Sequence, residues 1–466
     1  MHKYFGDKKF YKMVLVVAVP AIIQNFITNF VSLLDNIMVG RVGTEQMSGV
    51  AIVNQLNFVF YLGMFGAVSG ANIFGAQFFG QKDFEGLRHV FRFKLITCIL
   101  LAGISILIFI FGGDFLINRY LLSTESEGDV ALTFASGQDY LRVMLIGMVP
   151  YAISQVYASS LREMTETRVP MVASVIAVFT NLVFNYILIF GKLGAPEMGV
   201  VGAAWATVIS RYVEFVIIAS WTHIRYTKYR FIEGAYRSLR VPGKLVKQII
   251  IRGMPLLINE TIWAASIALL SQCYSLRGLE VVAAQNISST ITNLFNTVYF
   301  QLGASIAIIV GPLLGANKME EARDTARKMI VFSIMGCVLV GLIIIPTAGV
   351  FPLLYNTSDH VRSLATDIMI ITACFTPLFG FENAAYFTLR AGGKTGITFL
   401  FDSGYQWIIM IPLAFALTHF TNLTILPIVA LVQASEIIKA VFGYILVKKG
   451  VWVNNLVNGM EETNHS

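Results

Sequence analysis

Three carboxylates stand inside long apolar runs with no basic residue in the adjacent helical turn: Asp35, Glu260 and Glu382. A charge at membrane depth costs about 3 kcal/mol by insertion scales, so each needs a partner or a task. Near Asp35 the nearest basic residue is Arg41, beyond the expected helix end. A carboxyl free of a fixed cation can hold a proton or a metal cation in turn, which is what an ion-coupling site requires; the structural alternative is a helix-end aspartate facing the interface, since Val39 and Gly40 follow closely. Glu260 follows Pro255 near the middle of its run, with Asn259 as nearest polar companion. Glu382 lies about two turns before Arg390, so it either works in the membrane or leans on Arg390 or Lys394. Asn181 and Asn185, one turn apart on one face, read from their spacing as bonds to a neighbouring helix. Arg211 with Glu214, and Glu436 with Lys439, are spaced to neutralise each other, and Arg142 is placed to snorkel.

Other chemistries find no support. HExxH and GxSxG are missing, and Gly393-Lys394-Thr395 lacks the first glycine of a phosphate loop because Thr388 occupies that place. No catalytic residue, ATP site or cofactor is expected. Cys98, Cys273, Cys337 and Cys374 show no ligand spacing and read as small buried apolar residues. Sequons at Asn356, Asn422 and Asn464 match as often by chance.

The elements that must position these residues are membrane helices. Hydrophobic residues make up 56%, charged residues 13%, and mean hydropathy is +0.70, whereas soluble domains carry about 25% charged residues. Twelve spans are expected, near 13–38, 46–73, 92–112, 133–160, 169–191, 199–222, 247–274, 281–313, 328–350, 363–389, 396–418 and 424–447, the eighth long enough for tilt or a break. The first is expected to be a retained helix, since no small-residue cleavage site follows it. Lys and Arg concentrate in one set of loops, with Lys94, Arg162 and Arg390 among them, and in the stretch 225–252. By the positive-inside rule both termini and that stretch are cytoplasmic. The net charge of +7 then meets lipid headgroups, and no nucleic acid is implied.

The two halves carry the same signposts in the same order, the first two roughly 235 residues apart: Pro20 and Pro255; GAQFFGQKD (75–83) and GPLLGANKM (311–319); Leu161-Arg162 and Leu389-Arg390. The chain therefore reads as an all-α integral membrane protein of twelve transmembrane helices in two six-helix parallel-repeat lobes, 1–222 and 247–466, joined by a basic cytoplasmic linker, 223–246. Duplication of this kind marks many secondary transporters.

Over residues 20–452 the sequence resembles the multidrug and toxic compound extrusion (MATE) family. The resemblance rests on Pro20 with LDNIMVG (34–40) and Gly43, on GAQFFGQKD, on the two leucine-arginine pairs, on Asn181 with FGKLGAPEMGVVGAAWAT (190–207), and on Trp407 and Pro412. It implies an antiporter whose two lobes enclose a central cavity and which expels small organic, often cationic, compounds in exchange for H+ or Na+. Asp35 then matches the family's N-lobe ion-coupling aspartate and Glu260 the helix-seven glutamate, with Asn181 and Asn185 completing the ion-coupling set. Asp35, Glu260 and Glu382 would face substrate, and Na+ would sit at Asp35 or Glu260. Asn185 departs from the aspartate of several prokaryotic members, and Phe379 from an acidic residue on helix ten that Glu382 can replace. The expected location is the plasma (inner) membrane. A lipid-linked saccharide flippase of the same wider superfamily is the alternative, and would call for basic cavity residues; a membrane-embedded enzyme ranks third.

Overall fold

The computed structural model describes residues 4–122 and 129–458, and every regular element among them is helical. Asn464 lies outside the described residues. The helices are α1 (Lys8–Gly40), α2 (Thr44–Gln81), α3 (Phe84–Leu122), α4 (Val130–Ile146), α5 (Met148–Glu163), α6 (Arg168–Ile189), α7 (Gly199–Ile224), α8 (Gly243–Ser275), α9 (Leu279–Gly315), α10 (Met319–Thr347), α11 (Asp359–Ala391), α12 (Thr395–Phe399), α13 (Ile411–Phe420) and α14 (Ile425–Lys449). Eleven helical stretches are long and apolar enough to cross a bilayer, and the bent pair α4/α5 makes a twelfth. The protein is thus a multi-pass membrane protein with the twelve-helix fold. Its outward surface is apolar: the most hydrophobic stretch of α3 has mean hydropathy 2.8 with only 17% of it buried, and Phe111 is 84% exposed. Such a face belongs in hydrocarbon.

Local sequence explains where helices start and bend. Asp129 Oδ1 accepts from the Leu132 N–H (3.0 Å) and Ser358 Oγ from the Val361 N–H (3.3 Å), as N-caps do. The expected fourth span is two helices meeting at 47° around Gly147. Pro150 has no N–H for the Ile146 carbonyl, which ends α4 there. A side chain at Gly147 would press on Arg211 and Val208. The eighth span, by contrast, is one unbroken α9. The eleventh is irregular: between α12 and α13 run two π-helical turns, Leu400–Gly404 and Gln406–Met410. Single π turns of this kind concentrate at functional sites.

The chain forms two compact units, residues 23–75 with 83–249, and residues 1–22 with 76–82 and 250–466. This division differs from a boundary in the 223–246 linker. Val14 and Val17 belong to the core of the C-terminal unit, packed with Ile306, Val310, Leu389 and Trp452. The expected linker, in turn, is tied down within the N-terminal unit. Phe231 and Ile232 are buried, and the Arg92 guanidinium donates to the carbonyls of Ala235 (2.7 Å) and Gly234 (2.8 Å).

Within the C-terminal unit the duplication becomes a physical contact. A Cβ on Gly80 would overlap the Pro312 carbonyl, and one on Gly315 would overlap the Gln77 carbonyl. Residues 77 and 312 occupy equivalent places in the two repeats, so each glycine admits the other repeat's backbone. The helices then end alike, with Lys82 and Asn317 both left-handed (φ 63° and 60°). Gln77 also fastens the C-terminal segment: its Oε1 accepts from the Leu456 N–H (2.7 Å) and its Nε2 donates to the carbonyls of Ala391 and Asn454 (3.2 Å each).

Candidate functional site

In the N-terminal unit, α1 and α6 bring Asp35, Asn181 and Asn185 together. Asn185 Nδ2 donates to Asp35 Oδ1 at 2.7 Å. The hydrogen-bond network orients the Asn181 amide so that its nitrogen donates to Asp35 Oδ2 (2.7 Å), while its oxygen accepts from Thr207 N and Oγ1 (3.3 Å each). Asn181 and Asn185 are one turn apart on α6 and both buried, so one helix face delivers two amides to one carboxylate. Asn185 Oδ1 accepts no hydrogen bond from the described residues. The carboxylate is held by neutral donors, an arrangement compatible with either a proton or a cation on its remaining lone pairs. Thr207, at the end of the 190–207 stretch, joins this group unforeseen. The same two helices border an open groove of about 530 Å3 that includes Leu34, Met38, Arg41, Tyr186 and Phe190.

Glu260 and Glu382 belong to the C-terminal unit. Tyr386 donates its hydroxyl to Glu260 Oε1 (3.3 Å), and Arg390 lies within electrostatic reach. Glu382 does not lean on Arg390 or Lys394. Its Oε2 is 3.5 Å from Lys439 Nζ on α14, and its side chain is 4% exposed. Lys439 also meets Glu436 Oε2 at 3.9 Å, the spacing the sequence suggests, but its nearest carboxylate is Asp402 at 2.9 Å. Asp402, on the first π turn, accepts in addition from Asn259 Nδ2 (3.0 Å), and Ser403 donates to Asn259 Oδ1 (2.7 Å). Asn259 thus joins the Glu260 helix to the Lys439 cluster.

A second buried pair was hidden by counting Lys94 as a loop cation. Lys94 is fully buried in α3 and donates to Glu163 Oε1 at 2.7 Å and Ser159 Oγ at 3.2 Å. Gly75 leaves the room that the Glu163 carboxylate fills, and Asn72 turns its amide to donate to the same oxygen (2.7 Å). The sequence signal was present, since Lys94 falls inside the expected third span. Arg211 does not close on Glu214; it donates to the Tyr61 hydroxyl and lies over the rings of Tyr61 and Tyr151, 5.6 and 5.2 Å from their centroids. Glu214 is hydrogen-bonded with Ser174 and lies in the field of Arg162 and Arg211. Arg142 stays 70% exposed. Cys98, Cys273 and Cys337 are buried, but Cys374 is exposed on α11, so the expectation of four buried thiols holds for three. Among the described residues no three His, Cys, Asp or Glu side chains are grouped to hold a metal ion.

Comparison with known proteins places this geometry in context. A family model described as MatE matches residues 20–187 and 255–416. The chain is 25% identical over 417 residues to a protein of Thermotoga maritima named "Probable multidrug resistance protein NorM", covering 89% of this chain and 87% of the relative. It is 24% identical over 410 residues to "Probable multidrug resistance protein YoeA" of Bacillus subtilis, covering 88% and 87%. Among solved structures, one of "MATE in the straight conformation" superposes with a TM-score of 0.85 at 20% identity, covering 96% of this chain and 97% of the other. An outward-facing multidrug resistance MATE family transporter gives 0.83 at 19% identity, with the same coverage.

Proposed function

Since this chain belongs to the MatE family, matched in both of its halves, we propose that it is a secondary antiporter that expels small organic cations in exchange for H+ or Na+. The observation that carries the reading is the Asp35 carboxylate, held by the neutral amides of Asn181 and Asn185 in a membrane-spanning unit. A carboxylate that can take a coupling ion or influence a cationic substrate, with occupancy by one disfavouring the other, links the two fluxes by thermodynamic coupling. Glu260 serves the substrate side in this scheme, its carboxylate oriented by Tyr386. The names of the relatives from Thermotoga maritima and Bacillus subtilis support drugs as cargo. The charge bias of the loops supports cytoplasmic termini and residence in the plasma (inner) membrane.

The lipid-linked saccharide alternative would need basic groups ready for pyrophosphate. Among the described residues the buried lysines Lys94 and Lys439 are each held by carboxylates, Arg92 by the carbonyls of Gly234 and Ala235, and Arg211 by the Tyr61 hydroxyl, while Arg390 lies over the Phe387 ring, which weighs against it.

Proteoliposomes loaded with a fluorescent organic cation test the proposal. Efflux is expected when either a pH gradient or a Na+ gradient is imposed, and the gradient that drives it names the ion. Equal efflux with no gradient, or none with both, would overturn antiport.

A further inference from the structure

In the C-terminal unit three carboxylates converge on one ammonium: Asp402 at 2.9 Å, Glu382 at 3.5 Å and Glu436 at 3.9 Å from Lys439 Nζ. Their roles differ. Asp402 is fully served, by Lys439 on one oxygen and Asn259 on the other, and makes the shortest of the three contacts with the lysine. Glu382 and Glu436 are both buried and both face that ammonium, the Oε2 atom of each within 4 Å of it. Two ionised carboxylates do not tolerate that approach in a buried site, whereas a carboxyl and a carboxylate sharing a proton do. Glu382 Oε1 and Glu436 Oε2 receive no hydrogen bond from any N–H or O–H donor of the protein, so a proton between the two side chains satisfies atoms that are otherwise orphaned.

The remaining groups that face the pair supply no rival base. They are the phenols of Tyr299 on α9, Tyr405 between the π turns and Tyr274 on α8. Tyr405 is engaged with Ser435 Oγ at 2.6 Å. Counting from the ends of α11 and α14, Glu382 and Lys439 lie about 13 and 15 Å inside their helices, at a common level within the membrane.

We infer that Glu382 and Glu436 share one exchangeable proton, a proton site of the C-terminal unit built beside Lys439 and Asp402 and separate from Asp35. The inference deepens the antiport reading and rests on it for the use of the proton in transport, but the presence of the proton is measured without transport. The experiment is infrared spectroscopy of the purified full chain at neutral pH, reading the carbonyl band of protonated carboxyls and its shift in heavy water. Glu382→Gln and Glu436→Gln should each lose one carboxyl equivalent of that band, and the double variant should lose no more than either single one. With two single variants, one that fails to fold leaves the other to decide. Wild-type band intensity in the folded variants, or a double variant losing two equivalents, would overturn the shared proton. Absence of ion-driven efflux from wild-type proteoliposomes is a separate result that overturns the antiport reading and leaves the band unaffected.

Discussion

Asn185, on α6, donates to Asp35, on α1, at 2.7 Å, joining two residues 150 positions apart in the chain. Under the proposed antiport, the Asp35 carboxylate keeps a place for an ion while two amides hold it. Asp35→Asn keeps the shape of the side chain and removes the ionisable oxygen. Cells carrying it should make normal amounts of protein and lose resistance to organic cations. Efflux of a fluorescent cation at the wild-type rate in that variant would refute the coupling role.

Glu260 is oriented by Tyr386 and lies near Arg390. For Glu260→Gln the expected effect is a rise of about tenfold in Kd for a cationic substrate, equivalent to about 1.4 kcal/mol. Tyr386→Phe, which loses the orienting hydroxyl but keeps the charge, should have a smaller effect. Titration of the purified proteins with a fluorescent cation measures both, and unchanged affinity for Glu260→Gln would remove it from the substrate path.

The Lys94–Glu163 pair is a stability element. Breaking a buried pair by removing one partner costs about 3–5 kcal/mol, because the other charge is left uncompensated, whereas replacing both is often neutral. Lys94→Met should therefore lower the thermal unfolding temperature in detergent, and Lys94→Met with Glu163→Gln should recover most of the loss. A double variant as unstable as the single one would show that the pair is not the source of the effect.

These residues also show what a sequence can and cannot reveal. Spans and duplication were legible, because apolar run length and repeated glycines and prolines are local properties; one-turn spacing put Asn181 and Asn185 on one face, but only the family resemblance tied them to Asp35. The Lys439 cluster was legible only in its local part. Glu436 is three residues away, within reach of spacing; Asp402 is closer to the lysine in space but 37 positions distant in the chain, and no local pattern links the two. The bend at Gly147 was obscured by an apolar run long enough for one straight span. Lys94 was misassigned because the positive-inside rule counts charges near helix ends without asking which of them point inward.

The tethered segment that follows α7 offers a prediction in pH. Glu166 lies 2.6 Å from Lys228, and that hydrogen bond raises the pKa of the Lys228 ammonium above its ordinary value. A raised lysine contributes its stability fully below the ordinary value and loses it as pH climbs through the folded one. Proteolysis of residues 225–242 should therefore be flat from about pH 6 to 9 and accelerate only above the ordinary lysine value of about 10.4. Lys228 is 57% exposed, so the effect is small. An alkali-tolerant protease with Glu166→Gln as control provides the measurement, and acceleration already near neutral pH would point to another tether.

The crossing of Gly80 with residue 312 and of Gly315 with residue 77 is a single self-complementary contact that occurs twice. Contacts of that isologous form are what identical subunits make around a two-fold axis. Within its C-terminal unit the chain thus carries a contact of the form that matched subunits make. A methyl group at either position strikes backbone contributed by the opposite repeat, so the two segments hold each other at the distance that only glycine allows.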